Sequence, residues 1–134
     1  MSYRAFISHS GEDTWVARQL SAACAGHGVT TFLDEAEIAV GGRFEEEILD
    51  ALRNADELIV LATPWALDRT YVWMEIGAAW LRELPIVVLL LGMTPAQFQA
   101  RMNIPIALKE RNMIGLNNVD RYLSELALRA SNRS

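Results

Sequence analysis

The residue with the clearest chemical potential is Glu75, the one charged side chain in an apolar and aromatic run from Tyr71 to Trp80. If Thr70 is the N-cap of the helix that this run predicts, Glu75 lies about a turn and a half from the helix start. An open α/β sheet binds its ligands near that rim. Acidic residues also occur early in helices simply because they interact favourably with the helix dipole. The pattern alone leaves both interpretations open.

A second polar group, Ser8-His9-Ser10, follows a short and mostly apolar run. Hydroxyls beside an imidazole suggest a hydrolase, but adjacent strand residues point in opposite directions, which argues against a catalytic triad. The simpler interpretation of His9, which the pattern favours, is an ordinary polar loop residue at the end of a strand. With one cysteine and two distant histidines the chain has no zinc-ligand spacing, and it has no glycine-rich phosphate loop. We therefore expect no metal site.

The hydrophobic pattern predicts the elements that must position these side chains. Strands are predicted at residues 3–8, 29–33, 58–62, 86–91 and 112–116. Five helices are predicted. The first begins at the capping-box spacing of residues 10–13 and ends at about residue 26. The others cover residues 44–55, residues 70–80, a short stretch that begins at the capping box of residues 94–97, and residues 119 to about 130. Glycine at position 28 should end the first helical region, and Asp34–Gly42 is a long connection.

Strands and helices alternate five times, which predicts a parallel sheet with helices on both faces, because right-handed crossovers cover both sides. The expected class is α/β, a flavodoxin-like three-layer fold with strand order 2-1-3-4-5. In that order the ligand crevice lies at the carboxyl ends of strands one and three. Those ends are Ser8-His9-Ser10 and Thr63-Pro64-Trp65. The second loop leads into the helix of Glu75, so topology and chemistry indicate the same place.

The bulk composition restricts the class of protein. The chain has 134 residues, 51% of them hydrophobic, which fits one globular domain over residues 1–134. A net charge of −5 and a pI near 5.0 argue against nucleic-acid binding. A single cysteine, no signal peptide and no apolar run long enough for a bilayer predict a cytoplasmic protein without a membrane segment. The tail Ser131-Asn-Arg-Ser134 simply runs out, as it would if more chain had been removed, so residue 134 need not be the natural end.

Three segments resemble the boxes of Toll/interleukin-1 receptor (TIR) domains, in the family's order. The first is Ala5-Phe-Ile-Ser-His-Ser-Gly-Glu-Asp13, and the second is Phe32-Leu-Asp34 with Ile38-Ala-Val-Gly41. The third is Tyr71-Val-Trp-Met-Glu75. It resembles the aromatic-x-x-x-Glu motif of the enzymatic members of the family. The usual tryptophan of that motif is Tyr71 here, with Trp73 two residues on. The Phe-Trp of the third receptor-type box is absent, which favours a bacterial-type domain over an animal adaptor.

The resemblance implies an enzyme that cleaves the nicotinamide–ribose bond of NAD+, with Glu75 as the catalytic glutamate and no cofactor. One carboxylate suffices because nicotinamide in NAD+ is a cationic leaving group that needs no proton. The anion would hold the ribose hydroxyls and stabilise an oxocarbenium-like centre. The implied substrate-binding residues are Ser8 and His9 on the phosphate or ribose side, Phe32 and Asp34 beside the nucleotide, and Tyr71 as the aromatic shelf. Phe32 is equally explained as a buried strand residue, and Asp34 as a turn residue.

The same resemblance implies a role as an effector or signal producer in bacterial anti-phage immunity, activated by self-association through the 34–42 loop. A sensor domain or partner protein outside this chain would then be required. The alternative is a non-catalytic TIR–TIR interaction module, in which the same loop docks a partner. A more remote alternative is an enzyme similar to nucleoside deoxyribosyltransferases, which also place a glutamate on ribose. The product, ADP-ribose or a cyclic isomer, and the activating signal stay open.

Overall fold

The computed structural model of the chain describes residues 2–33, 44–102 and 112–133. The strands are β1 (Tyr3–Ser8), β2 (Val29–Leu33), β3 (Glu57–Ala62), β4 (Ile86–Leu90) and β5 (Met113–Gly115). The helices are α1 (Thr14–Ala25), α2 (Phe44–Asn54), α3 (Thr70–Leu81), α4 (Pro95–Arg101) and α5 (Val119–Arg133). Single 3-10 turns at Gly11–Asp13, Ala66–Asp68 and Leu116–Asn118 lead into α1, α3 and α5. Within these ranges no helix combines the length and the apolar character needed to cross a bilayer.

The five strands form one sheet in the order β2-β1-β3-β4-β5, and every neighbouring pair is parallel. The predicted strand order and fold class are therefore confirmed. Strand β1 ends beside the central strand β3, with Ser8 in register with Val60. The carboxyl ends of these two strands diverge into loops on opposite sides of the sheet, which creates the crevice expected of this topology.

The sheet carries a hydrophobic core on each face because successive strand residues point to opposite sides. Phe6 and Val60 belong to the core under α2, α3 and α4, whereas Ile7 and Ile59 belong to the core under α1 and α5. All four side chains are fully buried. By this alternation Ser8 shares the face of Phe6, and so it faces the layer that contains α3.

The starts of the helices test the predicted capping residues. The capping box at Thr94 is confirmed: its hydroxyl accepts from the backbone of Gln97, the Gln97 side chain accepts from the backbone of Thr94, and Pro95 opens α4. At Thr70 the prediction of an N-cap is wrong, because Arg69 has the extended backbone of that position and Thr70 is the first helical residue. Glu75 is consequently the sixth residue of α3, still within the second turn.

The capping box predicted at Ser10 is also wrong. The Ser10 hydroxyl makes no cap bond to the backbone and donates instead to the carboxylate of Asp13, at 3.0 Å. The physical reason is tertiary, because the same carboxylate oxygen also accepts from Thr63, in the loop after β3. After α1, Gly28 has a φ of +77°, a backbone conformation that favours glycine, and the predicted break there is confirmed.

Candidate active site

The carboxylate of Glu75 lies against the carboxyl end of β1. Ser8 Oγ donates a hydrogen bond to Glu75 Oε1 at 2.5 Å, and both side chains are buried, Glu75 with only 3% of its surface exposed. A hydrogen bond to an ionised carboxylate is short and about twice as strong as one between neutral groups. This bond fixes the orientation of the carboxylate at the rim where the sheet topology places a ligand crevice.

Tyr71 makes the second connection between α3 and β1. Its hydroxyl donates to the backbone oxygen of His9 at 2.9 Å, and its ring is half-buried. Tyr71 and Glu75 are four residues apart, so they lie one above the other on the same face of α3. The helix therefore contacts the end of β1 through two consecutive turns, with the aromatic ring one turn closer to the helix start than the carboxylate.

The imidazole of His9 is the most unusual polar group of this region. It is 1% exposed, and neither ring nitrogen hydrogen-bonds to any residue that the structure describes. Buried polar groups are nearly always hydrogen-bonded in folded proteins. A buried imidazole whose ring nitrogens bond to no described residue, next to Ser8 in the chain, is a candidate to bind the polar atoms of a ligand.

A hydrogen-bonded clamp joins the loops on the two sides of the crevice. Thr63 Oγ1 donates to Asp13 Oδ2 at 2.5 Å and accepts from the backbone N–H of Ala66 at 3.1 Å. Asp13 also accepts from Ser10, and all three side chains of this clamp are buried. Sequence reasoning assigned Asp13 to a helix start and Thr63 to a strand end. Thr63 follows β3 directly and Asp13 lies in the connection after β1, and this position at the carboxyl ends of two adjacent strands was the available signal for a role at the crevice.

Of the two aromatic residues in the α3 motif, the structure places Trp73 in the core. Its indole N–H donates to the backbone oxygen of Leu67 at 2.9 Å, and its ring packs on Phe98 with the centroids 6.0 Å apart. Only 5% of Trp73 is exposed. Tyr71 is therefore the aromatic side chain of this motif that shares the face of Glu75.

Phe32 lies on β2, the strand beside β1. In the register of these two strands it is two positions closer to the amino end than Ser8. It pairs with Phe6 in the β1–β2 register and stacks on that ring at 5.2 Å. The half-buried ring also lines a groove of about 460 Å³ between the β1–β2 edge and α2. Asp34 and the 34–42 loop lie outside the described residues. The structure thus brings together Ser8, His9, Tyr71 and Glu75, and Phe32 lies further along the same face.

The chemistry available here is that of a fixed anion with hydroxyl and imidazole neighbours. A carboxylate in a water-poor site stabilises an adjacent positive charge far better than one in bulk water. Among residues 2–33, 44–102 and 112–133, no three histidine, cysteine, aspartate or glutamate side chains cluster as metal ligands would.

Part of the chain is similar to a plant protein. The chain is 35% identical, over 77 residues, to a probable 2' cyclic ADP-D-ribose synthase from Brachypodium distachyon; the match covers 56% of this chain and 34% of that protein. The chain thus matches only about a third of the length of this relative.

Two solved structures share the fold. The TIR domain of the Toll-related receptor TRR-2 from Hydra magnipapillata aligns over 99% of this chain and 100% of its own, with a TM-score of 0.62 and 19% identity. A 2-desoxiribosyltransferase from Leishmania mexicana aligns over 91% of this chain and 97% of its own, with a TM-score of 0.62 and 12% identity. At these identities the likeness concerns the fold alone, and it does not separate the two classes of protein. The sequence model of the TIR domain separates the two classes, because it matches residues 5–126 of this chain. The chain therefore belongs to the TIR domain family.

Proposed function

We propose that this TIR domain is an NAD+ glycohydrolase of the ADP-ribosyl cyclase/hydrolase type, which cleaves the nicotinamide–ribose bond. The observation that carries the proposal is the buried Glu75 carboxylate, held by Ser8 at the crevice between β1 and β3. The similarity to a probable 2' cyclic ADP-D-ribose synthase supports it, since forming that product from NAD+ breaks the same bond.

In the proposed reaction the bond between ribose C1′ and the nicotinamide nitrogen breaks, and its electron pair neutralises the cationic pyridinium ring. Positive charge develops on the ribose, and the Glu75 carboxylate stabilises it while holding the ribose hydroxyls. Ser8 keeps the carboxylate in orientation through its 2.5 Å hydrogen bond. A water molecule, or a hydroxyl of the same ADP-ribose, then attacks C1′ and loses its proton. Water gives ADP-ribose, and an internal hydroxyl gives a cyclic product.

The remaining residues bind substrate in this scheme. Tyr71 provides an aromatic surface beside the carboxylate, and the buried imidazole of His9 provides polar atoms for the ribose or phosphates. Phe32 and Asp34 would flank the nucleotide. NAD+ is the substrate, and no cofactor or metal is required.

TIR domains self-associate, and we propose that association through the 34–42 loop activates this one. The biological role would be that of a cytoplasmic effector or signal producer in bacterial anti-phage immunity. In that role residues 1–134 form one TIR domain, coupled to a sensor domain or partner protein outside this chain.

The test is NAD+ turnover at high protein concentration, with Glu75→Gln beside the wild type. We expect wild-type protein to consume NAD+ and release nicotinamide, and Glu75→Gln to be at least about a hundredfold slower, since removing a positioned charge costs about 3 kcal/mol of transition-state stabilisation. The product masses separate the two outcomes of the second step, because ADP-ribose is heavier than the cyclic product by one water.

The matched control is Glu125→Gln, the same change on an exposed position of α5, on the other face of the sheet. This variant should turn over NAD+ like the wild type. Circular dichroism and a thermal melt establish that Glu75→Gln is folded. Equal and negligible turnover by all three proteins, under conditions where oligomers are shown to form, would contradict the enzyme and leave the non-catalytic TIR–TIR interaction module.

A further inference from the structure

Strand β2 forms one edge of the sheet, and its outer side pairs with no strand among the described residues. In such a strand every second residue turns its N–H and C=O groups towards the outer side. Thr30 is exposed, and Thr31, Phe32 and Leu33 are half-buried, so the described part of the chain leaves this strand partly uncovered. The outer side of β2 therefore carries backbone hydrogen-bonding groups that a further strand can use.

The sequence of β2 lacks the features that protect the edges of sheets. Natural edge strands are commonly short, or carry lysine, proline or a bulge, which hinder pairing with another chain. Residues Val29–Leu33 have the sequence Val-Thr-Thr-Phe-Leu, with no charge and no proline, and all five pair with β1 in an unbroken register. The opposite edge strand, β5, has only three residues. Since β-branched and aromatic residues favour strands, β2 is well suited to accept another one.

The groove described above lies beside this edge, between β2 and the flank of α2. Its volume is about 460 Å³, and its apolar surface comes from Phe32 on the strand and from Ala51 and Ala55 on the helix. Thr30 also lines it, two positions before Phe32, because alternate strand residues share a face of the sheet. A strand added to the edge of β2 would therefore place every second side chain along this groove.

The groove carries charge of opposite sign at its two ends. Arg4 lines the end near Asp56, whose carboxylate accepts from the backbone N–H of Arg4 at 2.8 Å. Glu47 and Asp50 are exposed on the helix side, with Glu47 towards the other end, because α2 runs antiparallel to the strands that it connects. Asp50 pairs with Arg53 at 3.1 Å, whereas Glu47 forms no ion pair inside the described ranges. In a chain of net charge −5, a positively charged group near Glu47 is favoured.

We propose that the edge of β2 and this groove bind an extended peptide of a partner protein, which adds to the sheet as a further strand. Its backbone bonds to the outer side of β2, its apolar side chains contact Phe32 and Ala51, and a lysine or arginine lies beside Glu47. In this mode of recognition, backbone hydrogen bonds supply affinity and the positions of alternate side chains supply specificity. The partner is a different protein, because the β2 strand of a second copy has no basic residue to place beside Glu47.

This inference does not rest on the proposed enzymatic function, and none of the residues that it uses belongs to the 34–42 loop. It is tested without NAD+, so its failure and that of the enzyme are distinguishable. The probe is a displayed library of random peptides of about ten residues, which suffices for one strand, selected against the wild-type chain. We expect the enriched peptides to share alternating apolar residues and a lysine or arginine at one fixed position.

Two variants test the surface, with fluorescence anisotropy of a synthetic enriched peptide as the measurement. Glu47→Lys should raise the dissociation constant by about fivefold or more, because repulsion replaces the attraction of an exposed ion pair. Its matched control is Glu46→Lys, the same change on an exposed neighbour that does not line the groove, and it should bind like the wild type. Thr30→Lys places a protecting lysine on the edge and should weaken binding by at least about tenfold. Circular dichroism and a thermal melt establish that the variants are folded.

Strand addition itself is tested by methylating backbone nitrogens of the peptide, which removes hydrogen-bond donors. Two versions are made, each methylated on alternate residues, so that only one loses the donors that face β2. That version should bind at least about tenfold more weakly, and the other should bind like the unmodified peptide. The proposal is overturned if no peptide is enriched or if the two methylated versions bind equally. It is also overturned if Glu47→Lys and Thr30→Lys bind the peptide as tightly as the wild type does.

Discussion

At the scale of single residues, Asp13 holds the two sides of the crevice together. Its buried carboxylate accepts from Ser10, in the loop after β1, and from Thr63, in the loop after β3. Each of these loops leads towards the candidate active site, and Thr63 also accepts from the backbone of Ala66 in the turn before α3. This carboxylate therefore helps to hold α3 in position relative to β1, together with the direct hydrogen bonds from Ser8 to Glu75 and from Tyr71 to His9.

We predict that Asp13→Ala lowers the free energy of unfolding by about 3 kcal/mol, because hydrogen bonds to a charged group contribute about 1.5–3 kcal/mol each. Urea denaturation followed by circular dichroism measures the change. Glu12→Ala is the matched control, since Glu12 is the exposed acidic neighbour in the same turn. A difference of less than about 0.5 kcal/mol between the two variants would contradict a role for the clamp.

The sequence could indicate these residues only in part. Glu75 and Tyr71 were assigned by resemblance, and their spacing of four residues places them on one face of α3, as the structure has them. Trp73, two positions from each, must point elsewhere, and that spacing could have excluded it as the aromatic shelf. The clamp could not be predicted, because the spacing of Ser10 and Asp13 is also that of a capping box, and only the tertiary contact with Thr63 separates the two arrangements.

At the scale of elements, a buried carboxylate at the opposite end of the sheet ties α5 to β1 and β3. Glu57, the first residue of β3, accepts from Tyr3 at 2.7 Å and from the guanidinium of Arg129 at 2.9 and 2.8 Å, and it also accepts from Tyr122. We call these four residues the Glu57 cluster. Every member other than Arg129 is buried, so the cluster joins three elements inside the core of one face.

The Glu57 cluster and its neighbour Cys24 predict loss of stability in alkali. Burial, and then the Glu57 carboxylate, raise the pKa of Tyr3 from 10.0 to about 12; burial, and then Glu57, raise the pKa of Cys24 from 9.0 to about 11. The folded chain therefore holds these protons more tightly than the unfolded chain does. Their stabilising contribution is complete below pH 9.0 and is lost as the pH rises towards about 12.

The measurement is the urea midpoint across that range, in the presence of a reductant. We expect it to fall steadily as the pH rises. Cys24→Ala should begin its decline at a higher pH, because the other protons held by this cluster belong to tyrosines, whose ordinary pKa of 10.0 lies above the 9.0 of cysteine. An unchanged midpoint between pH 9.0 and pH 11 in the wild type would contradict the prediction.

Most elements were predictable because the hydrophobic pattern and the turn residues agree. Strands β1 and β2, the start of α5 and the capping box of α4 lie where the sequence places them. The start of β3 was missed by one residue, since a glutamate is rarely buried and only the partners of Glu57, 54 to 72 positions away, make its burial possible. Local patterns contain no information about contacts at that separation.

At the scale of the whole molecule, net charge and apolar contact oppose each other in self-association. The chain carries a net charge of −5 and has a pI near 5.0, so two copies repel at neutral pH. Met74 and Leu81 on α3 are exposed apolar side chains, and attraction between copies through such groups depends on removing apolar surface from water. The balance between these effects can therefore be shifted by salt.

We predict that the dimer dissociation constant falls as the ionic strength rises from about 0.01 M to about 0.15 M, because the Debye length shortens from about 30 Å to about 8 Å over that range. The repulsion between the two net charges is screened at the higher ionic strength, whereas attraction between apolar side chains does not depend on charge. Sedimentation velocity at both ionic strengths measures the change. A dissociation constant that rises with salt would instead indicate a contact held by opposite charges, and the association surface would then have to be sought among the charged side chains.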